Sequence, residues 1–566
     1  MRTIFIVLLT ILGVVASACS GRPSSSRQTV APEAGEALSS TGEQELRAIL
    51  QDGSLSDLQW PNFSDHGVSV KKFYQESAYT LGWSQSNEPT AQARELIGIL
   101  QDAEQKGLDS EDYDGLRWDD RVRALEGKDG HGETARVKFD VALTVSATRY
   151  ISDLHLGRVD PESLHKDFDP EREPHDPGAF LRKDVVHASS VKDALAQLEC
   201  PYAGYQRELA ALKKYLGMAK NEVIDPMATV QKPLEPGQPY QESQKLVRRL
   251  QFLGDMPASV SAAGNSKAYS SEIVEAVRRF QSRHGMEADG KLGTGTIKEI
   301  NRPMADRVQQ LRLSLERWRW LPHNLAEPPI VVNIPEFKLR AGGIAGAPGL
   351  IMSVVVGKAM RTQTPVLEED MKYMVFWPYW NVPPSILRGE IIPKIAKDRA
   401  YLHQNGYEVA TQAGGVVTDG VVGDDTLAEL RAGNLIVRQK PGPKNALGLA
   451  KFIFPNDNNI YLHSTPALAL FSRTRRDFSH GCIRVEDAQV LAAWVLRNNP
   501  GWTKQRIAEA FTAGKQQQVN LVRTIPVFIV YATAVAEEDG RVFFYQDIYG
   551  HDEALAKLEQ QAYAGR

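Results

Sequence analysis

The stretch from Ile460 to Ala488 reads IYLHSTPALALFSRTRRDFSHGCIRVEDA; it begins like a β-strand and carries two histidines and a cysteine. The chain has only three cysteines in 566 residues. The interpretation of the C-terminal region therefore depends on Cys482. From the count alone, Cys482 is either a nucleophile or a structural thiol, and a structural thiol would be buried or paired with Cys200 in a disulfide.

The surroundings of Cys482 contain the groups that a nucleophilic thiol requires. A thiol reacts as thiolate, so a histidine is needed to accept its proton and donors are needed for the oxyanion that forms next. His480 lies two residues before Cys482, and His463 lies 19 residues before it on the strand-like segment NIYLH. Gly481 suits a sharp turn whose amides point inward, which is the geometry of an oxyanion hole.

Length and charge limit the other possibilities. A chain of 566 residues is too long for one hydrophobic core and predicts several domains. The net charge is -4, from 66 basic and 70 acidic residues, so the sequence lacks the basic surface of a nucleic-acid-binding protein. The chain has no H-E-x-x-H motif and no paired C-x-x-C motif, and we expect neither a metal nor another cofactor.

The N-terminus has the pattern of an export signal. Residues 1–18 combine a positive start, an apolar run from Ile4 to Val15 and small residues before Cys19. The small residues resemble a bacterial lipobox, which predicts an acylated Cys19 that anchors the protein to a membrane; plain secretion is the alternative. Ser20 after Cys19 favours the outer membrane. Residues 19–58 are polar and rich in Pro and Ser, and we expect a flexible tether.

Periodicity divides the remaining chain into three parts and predicts a multidomain α+β protein. Residues 59–230 carry apolar side chains at helical spacing and predict a helical domain. A Pro/Gly-rich break precedes a compact helical unit at 236–304. Residues 306–566 are rich in Val, Ile, Phe and Tyr and predict a mostly β domain, with an inserted helical cap at about 385–437.

The compact helical unit resembles the three-helix peptidoglycan-binding module. The resemblance rests on an AV..FQ...G....DG..G..T pattern, which is matched by Ala276, Val277, Phe280, Gln281, Gly285, Asp289, Gly290, Gly293 and Thr296. It implies binding of the sugar-peptide polymer of the cell wall. A spacer that has lost its ligand site is the alternative.

The C-terminal domain resembles the L,D-transpeptidase (YkuD-type) catalytic domain. The resemblance rests on three segments: KNALGLAKFIFPN, then HSTP, then SHGCIRV. The histidine of HSTP, His463, lies 19 residues before the cysteine of SHGCIRV, Cys482. The order of a helical scaffold domain, a binding module and a catalytic domain with an inserted cap is similar to the large YcbB-type members. This resemblance favours the nucleophile over the structural thiol at Cys482.

The resemblance implies an acyl transfer in the periplasm. Cys482 would attack the carbonyl of the third residue of a tetrapeptide stem, D-alanine would leave, and an amine of a neighbouring stem would resolve the thioester. His463 would be the general base and later the acid, and amides around Gly481 and Cys482 would hold the oxyanion. The other site residues are assigned as follows: Ser479 and His480 order the loop, Arg484 pairs with a substrate carboxylate or braces the loop, and Tyr461 and Trp380 line the cleft or pack in the core.

Other outcomes share part of this interpretation. The same acyl-enzyme could attach an envelope protein to the wall, exchange the terminal D-amino acid or hydrolyse the stem. A protein of a different class, a catalytically silent wall-binding scaffold, is also compatible with the domain order. The presence of both Cys482 and His463 argues against the silent scaffold, because loss of activity usually removes one of them.

Overall fold

A computed structural model describes residues 37–127, 132–170, 175–260, 268–342 and 349–564 of the chain. The predicted signal peptide, Cys19 and the first part of the predicted tether lie outside these ranges. Among the helices of the described residues, none is both long enough and apolar enough to cross a membrane.

The N-terminal domain is helical, as predicted, and is built around one central helix that is buried along most of its length. Its elements are α1 (Ser40–Asp52), α2 (Gly67–Gln75), β1 (Ser84–Gln85), β2 (Glu88–Pro89), α3 (Ala91–Gln101), α4 (Trp118–Glu126), the central α5 (Gly132–Leu156), α6 (Pro177–Phe180), α7 (Val191–Ala196) and α8 (Ala203–Lys220). Within α5, buried Asp140 accepts hydrogen bonds from the main-chain N–H groups of Gly82 and Trp83. The carboxylate thereby satisfies donors of a segment that has no partner strand or helix there.

The predicted tether is too long at its C-terminal end. Helix α1 lies within residues 19–58, and its Leu46 and Leu50 are buried in the core of the helical domain. The Ser39 hydroxyl caps the helix by accepting a hydrogen bond from the Gly42 N–H. The helix was missed because it is amphipathic with few apolar residues and follows directly on a polar, Ser-rich segment.

The central module consists of three helices, α9 (Ser243–Leu253), α10 (Ser271–Arg283) and α11 (Thr294–Ile300), as predicted. Its sequence signature is explained by folding. Phe280 is fully buried, and the buried Gln281 amide donates to Asp289 Oδ1 (3.0 Å) and to Thr296 Oγ1 (3.2 Å). Gln281 Oε1 accepts from the Gly290 N–H at 2.8 Å. The signature residues therefore maintain the turn between α10 and α11, whether or not the module binds a ligand.

Helix α12 (Met304–Arg319) connects the module to the β domain and packs against α8. Glu316 on α12 accepts hydrogen bonds from the N–H groups of Arg158 (2.6 Å) and Val159 (2.9 Å) in the helical domain. On the same helix, Arg317 forms an ion pair with Asp552 near the C-terminus (2.6 Å). Charged contacts on α12 thus join the first and the last domain.

The C-terminal domain is rich in β-strands, which confirms the predicted α+β organisation. Its elements are β3 (Ile330–Asn333), β4 (Lys338–Ala341), β5 (Leu350–Gly357), β6 (Leu367–Phe376), β7 (Trp380–Asn381), α13 (Pro384–Ile386), α14 (Ile392–Lys397), α15 (Tyr401–Gln404), β8 (Tyr407–Thr411), β9 (Val416–Thr418), α16 (Asp424–Ala432), β10 (Leu435–Gln439), β11 (Ala450–Ile453), β12 (Leu462–His463), β13 (Asp477–Ser479), β14 (Ile483–Val485), α17 (Ala488–Val495), α18 (Lys504–Thr512), β15 (Gln517–Val530), β16 (Ala534–Ala536), β17 (Val542–Phe544) and α19 (His551–Ala564). Nine strands form one sheet in the order β13-β5-β14-β12-β11-β6-β15-β3-β4. Pairing of β4 with β5 closes this sheet on itself around an apolar interior.

The inserted cap is not purely helical, in contrast to the prediction. Strands β7, β10, β8 and β9 form a four-stranded sheet, in that order, beside α13, α14, α15 and α16. The cap has its own hydrophobic cluster, which includes Ile395, Val409 and Val437. The strands were missed because they are short and lie between helical and Gly-rich segments. A separate core indicates that the cap packs as a unit on the larger sheet.

Candidate active site

Two neighbouring strands bring the histidine and cysteine motifs together. Strand β12 pairs in parallel with β14, with Leu462 opposite Ile483 and His463 opposite Arg484. Side chains alternate along a strand, and opposite residues of paired strands share a face. Leu462 and Ile483 are fully buried in the interior of the sheet. His463 and Arg484 therefore lie on the other face, and the preceding pair on that face is Tyr461 and Cys482.

The Cys482 thiol is half-buried and protonated in this conformation. Its S–H donates to the main-chain oxygen of Asn459 at 3.5 Å. Burial raises the pKa of the Cys482 thiol, while hydrogen bonds from Tyr461 and the positive charge of Arg484 act in the opposite direction. Cys482 and Cys200 are both free, which excludes the disulfide alternative. Cys200 is fully buried, and burial raises its pKa to about 12, so its thiol is inert at neutral pH.

His463 is held as a neutral imidazole beside this thiol. The side chain is buried, and burial, followed by the positive charge of Arg484, lowers its pKa to about 3. Nδ1 lies 2.5 Å from the main-chain oxygen of Ser464. Because a carbonyl can only accept a hydrogen bond, this contact favours the tautomer with the proton on Nδ1. The main chain of Leu447 is a second hydrogen-bond partner of the ring, and both contacts raise the pKa of His463 against the larger effects of burial and Arg484. The ring of His463 also makes an edge contact with Tyr461, at 5.8 Å between centroids.

The loop before Cys482 is fixed by hydrogen bonds to its main chain. The Ser479 hydroxyl accepts from the Gly481 N–H at 3.2 Å, and the Ser479 carbonyl accepts from Thr362 Oγ1 (3.0 Å). Gly481 has a φ of +113°, a conformation that favours glycine, and a Cβ there would come within 3.2 Å of Ile460. The predicted ordering role of Ser479 is consistent with these contacts. The Gly481 amide, predicted as an oxyanion donor, is already bonded to Ser479.

Comparisons with known proteins agree with this geometry. Residues 328–520 match the L,D-transpeptidase catalytic domain (YkuD), residues 68–212 match a scaffold domain, and residues 239–300 match a "Putative peptidoglycan binding domain". The match to the L,D-transpeptidase catalytic domain covers most of the C-terminal domain. The predicted resemblance is thereby confirmed for all three domains.

The chain is also similar in sequence to a curated Haemophilus influenzae protein named "Putative L,D-transpeptidase". The two sequences are 33% identical over 257 residues, which is 44% of this chain and 50% of the relative. The chain thus spans about half the length of the curated relative that it matches.

In the C-terminal domain, His480 contacts the cap. Its Nε2 lies 2.8 Å from Glu390 Oε1, and Glu390 belongs to the π-helical turn between α13 and α14. The imidazole and the carboxylate are both partly exposed to solvent, at 34% and 44%. His480 therefore joins the loop before Cys482 to the cap. Of the two histidines, only His463 lies on the strand that pairs with β14.

Arg484 opens into a cleft between the cap and the sheet of the L,D-transpeptidase domain. The cleft has a volume of about 310 Å³. Within the described ranges, Arg484 Nε is buried without a hydrogen-bond partner. No loop carbonyl of the described residues accepts from this Nε, and the side chain lines the cleft, so both predicted roles of Arg484 stay open. Residues of the cleft wall on either side of Arg484 are Tyr401, Tyr407, Lys444 and Thr465.

Tyr461 and Trp380 lie where the sheet and the cap meet. Burial raises the pKa of the Tyr461 hydroxyl well above its usual value; the neighbouring Cys482 raises it further, and Trp380 acts in the opposite direction. Trp380, on β7, is opposite Gln439 of β10, and its ring lies 6.3 Å from that of Tyr407. Both side chains are half-buried, and neither is among the residues that line the cleft at Arg484.

Several residues of the site carry no signal in the sequence pattern. Asn459, whose carbonyl accepts from the thiol, has a φ of +54°, which asparagine tolerates better than most residues. Glu390 is one acidic residue among several in the cap. Thr364 donates from Oγ1 to the Gly481 carbonyl at 2.6 Å across 117 residues of sequence. Each contact depends on a distant segment, so spacing could not indicate it. Within the described ranges, no group of three or more His, Cys, Asp or Glu residues could hold a metal ion.

Removal of the cap should separate binding of the natural substrate from reactivity of the thiol. The Val382 N–H donates to the Val437 oxygen at 2.9 Å, so residues 383–436 can be replaced by an Asn-Gly hairpin turn. We expect the catalytic efficiency with a stem peptide to fall about 10-fold or more, because a lid positions a long flexible substrate, and carbapenem acylation to stay within about threefold. Steady-state kinetics and acylation rates measure the two effects.

The point variant Glu390→Ala is the milder companion of this deletion, because it removes only the contact with His480. It should lower the catalytic efficiency with the stem peptide by a smaller factor than the deletion does, and it should leave carbapenem acylation nearly unchanged. A parallel loss of stem-peptide turnover and carbapenem acylation in the deletion variant would show that the cap supports the fold of the site and is not a lid.

Proposed function

We propose that the protein is a peptidoglycan L,D-transpeptidase that uses Cys482 as its nucleophile. The observation that carries this proposal is the placement of Cys482, His463 and Arg484 on one face of the paired strands β12 and β14. A thiol, a neutral imidazole and a guanidinium whose Nε has no hydrogen-bond partner in the described chain are groups that acyl transfer from a carboxylate-bearing peptide can use.

In the first half-reaction, the Cys482 sulfur attacks the carbonyl carbon of the third residue of a tetrapeptide stem. The thiol proton passes to His463 Nε2, because the contact of Nδ1 with the Ser464 carbonyl favours the tautomer with the proton on Nδ1. The tetrahedral intermediate collapses when the bond to D-alanine breaks, and the imidazolium donates its proton to the leaving amine. Because the resting thiol is protonated, His463 acts as a general base during attack and not as the partner of a preformed thiolate.

In the second half-reaction, an amine of a neighbouring stem attacks the thioester. His463 accepts a proton from this amine and returns it to the departing sulfur. The product is a cross-link between third-position residues, and the thiol is restored. Arg484 would pair with a substrate carboxylate in the cleft, because its Nε has no hydrogen-bond partner in the described chain.

The other domains support the same substrate. The match of residues 239–300 to a peptidoglycan-binding family favours the cell wall as the partner of the module. Export, with an acylated Cys19 that anchors the chain to the outer membrane, completes this proposal, because the substrate lies outside the cytoplasm. The evidence for export is the pattern of residues 1–19.

Mass spectrometry of reaction products tests the proposed reaction directly. Incubation of the protein with a purified disaccharide tetrapeptide should yield a dimer that lacks one D-alanine, and the Cys482→Ala variant should yield none. Accumulation of a disaccharide tripeptide without dimer would identify a hydrolase. An unchanged tetrapeptide, with a wild-type protein that a carbapenem does acylate, would contradict the proposed substrate.

A further inference from the structure

Thr364 lies behind the catalytic loop and is fully buried. Its hydroxyl donates to the Gly481 carbonyl at 2.6 Å and accepts from the Gly357 N–H at 2.8 Å. Its own N–H donates to the Tyr549 hydroxyl at 3.3 Å, and that hydroxyl donates to the Gly357 carbonyl at 2.6 Å. Thr364 thus connects the loop that carries the nucleophile to β5 and to the segment before α19.

The bond from Thr364 determines the direction of the next amide. In a trans peptide, the carbonyl oxygen and the following N–H point in opposite directions. With the Gly481 carbonyl held by Thr364, the Cys482 N–H points away from Thr364. Only the Cα and Cβ atoms of Cys482 separate this N–H from the reacting sulfur, so the direction of the amide decides whether it can face an oxyanion formed there.

The amide before it, that of Gly481, is already occupied. The Gly481 N–H is bonded to the Ser479 hydroxyl at 3.2 Å. Gly481 has no side chain that could restrict rotation of the peptide that joins it to Cys482, and its φ of +113° lies where glycine moves freely. An external contact must therefore hold this peptide, and the hydroxyl of Thr364 provides one.

We propose that Thr364 is a positioning residue that orients the Cys482 amide as the oxyanion donor of the acyl-transfer reaction. The proposal rests on the proposed nucleophilic role of Cys482. Without the hydroxyl, the peptide between Gly481 and Cys482 could rotate and direct its carbonyl towards the sulfur, which would repel a developing oxyanion. Tyr549 assists, because it orients both Thr364 and the Gly357 carbonyl.

Two reactions of the same thiol separate this role from a general effect on the fold. Acylation by a carbapenem passes through an oxyanion, whereas alkylation by iodoacetamide displaces iodide and forms none. Loss of one oxyanion donor costs about 100- to 1,000-fold, and misorientation should cost less, so Thr364→Val should slow acylation about 10- to 100-fold. Alkylation of Cys482, followed by peptide mass mapping, should change less than about twofold because the thiol and His463 are unaltered.

Three further variants complete the test. Thr364→Ser keeps the hydroxyl and should restore acylation to near the wild-type rate. Tyr549→Phe removes the supporting hydroxyl and should show the same selective loss to a smaller extent, which provides a second readout if Thr364→Val does not fold. Thr533→Val is the matched control, since Thr533 is a fully buried threonine whose hydroxyl donates to Asp552 instead of to the loop. It should leave both reactions unchanged.

Parallel losses of acylation and alkylation in Thr364→Val, or acylation in Thr364→Ser as slow as in Thr364→Val, would overturn the positioning role. Unchanged acylation in Thr364→Val would overturn it as well. A wild-type protein in which neither reagent modifies Cys482 would instead refute the proposed function, so the two failures are distinguishable.

Discussion

Cys482→Ser is expected to abolish the mass increase that a carbapenem produces on the wild-type protein. The substitution is nearly isosteric, but an alcohol has a far higher pKa than a thiol. Serine hydrolases activate such an alcohol with a histidine that a carboxylate orients. Here His463 Nδ1 bonds to the Ser464 carbonyl and not to a carboxylate, so the imidazole lacks the support that activates a serine. We therefore expect a loss of at least about 1,000-fold in acylation rate.

Intact-protein mass spectrometry measures this adduct, and Cys200→Ala is the matched control. Cys200 is the other cysteine of the described chain, and it is fully buried and outside the site. Cys200→Ala should keep the full adduct. An adduct that persists in Cys482→Ser would contradict the assignment of Cys482 as the nucleophile. An adduct that disappears in Cys200→Ala would assign the nucleophile to Cys200 instead.

His463→Ala is expected to slow carbapenem acylation by about 100- to 10,000-fold, the range that general acid-base catalysis contributes. His480→Ala should cost less than about 10-fold, because the His480 ring contacts Glu390 of the cap and an exposed pair of this kind contributes little. Stopped-flow or mass-resolved acylation rates give the comparison. A larger loss in His480→Ala than in His463→Ala would reverse the assignment of the base.

The pH dependence of the same rates provides a second check on His463. Its pKa is lowered to about 3, so the neutral base form is present at every pH above that value, and the raised pKa of Cys482 keeps the thiol protonated at neutral pH. The wild-type acylation rate should therefore be nearly constant between about pH 5 and pH 7. Without His463 only the thiolate reacts, and the rate should rise about tenfold per pH unit. A wild-type rate that falls below pH 6.5 would indicate an ordinary histidine.

The sequence by itself indicated the candidate chemistry and the domain order. Cys482 and two histidines stood out by residue type and spacing, and the resemblance to the L,D-transpeptidase motifs favoured His463 and added Arg484. The three-helix module was predicted from helical periodicity and from its resemblance to the peptidoglycan-binding pattern. Its signature residues include Phe280 in its core and Gln281 at its turn. Because these residues maintain the fold, the sequence pattern was sufficient to predict it.

Only the tertiary structure decided how the site is supported and in which protonation state it rests. The contacts of Thr364 with Gly481, of Glu390 with His480 and of Asn459 with Cys482 join segments that are 117, 90 and 23 residues apart. No periodicity reports such pairs, since hydrogen bonds between distant loops depend on the packing of whole domains. The low pKa of His463 has the same origin, because it is caused by burial and by the charge of Arg484 on the neighbouring strand.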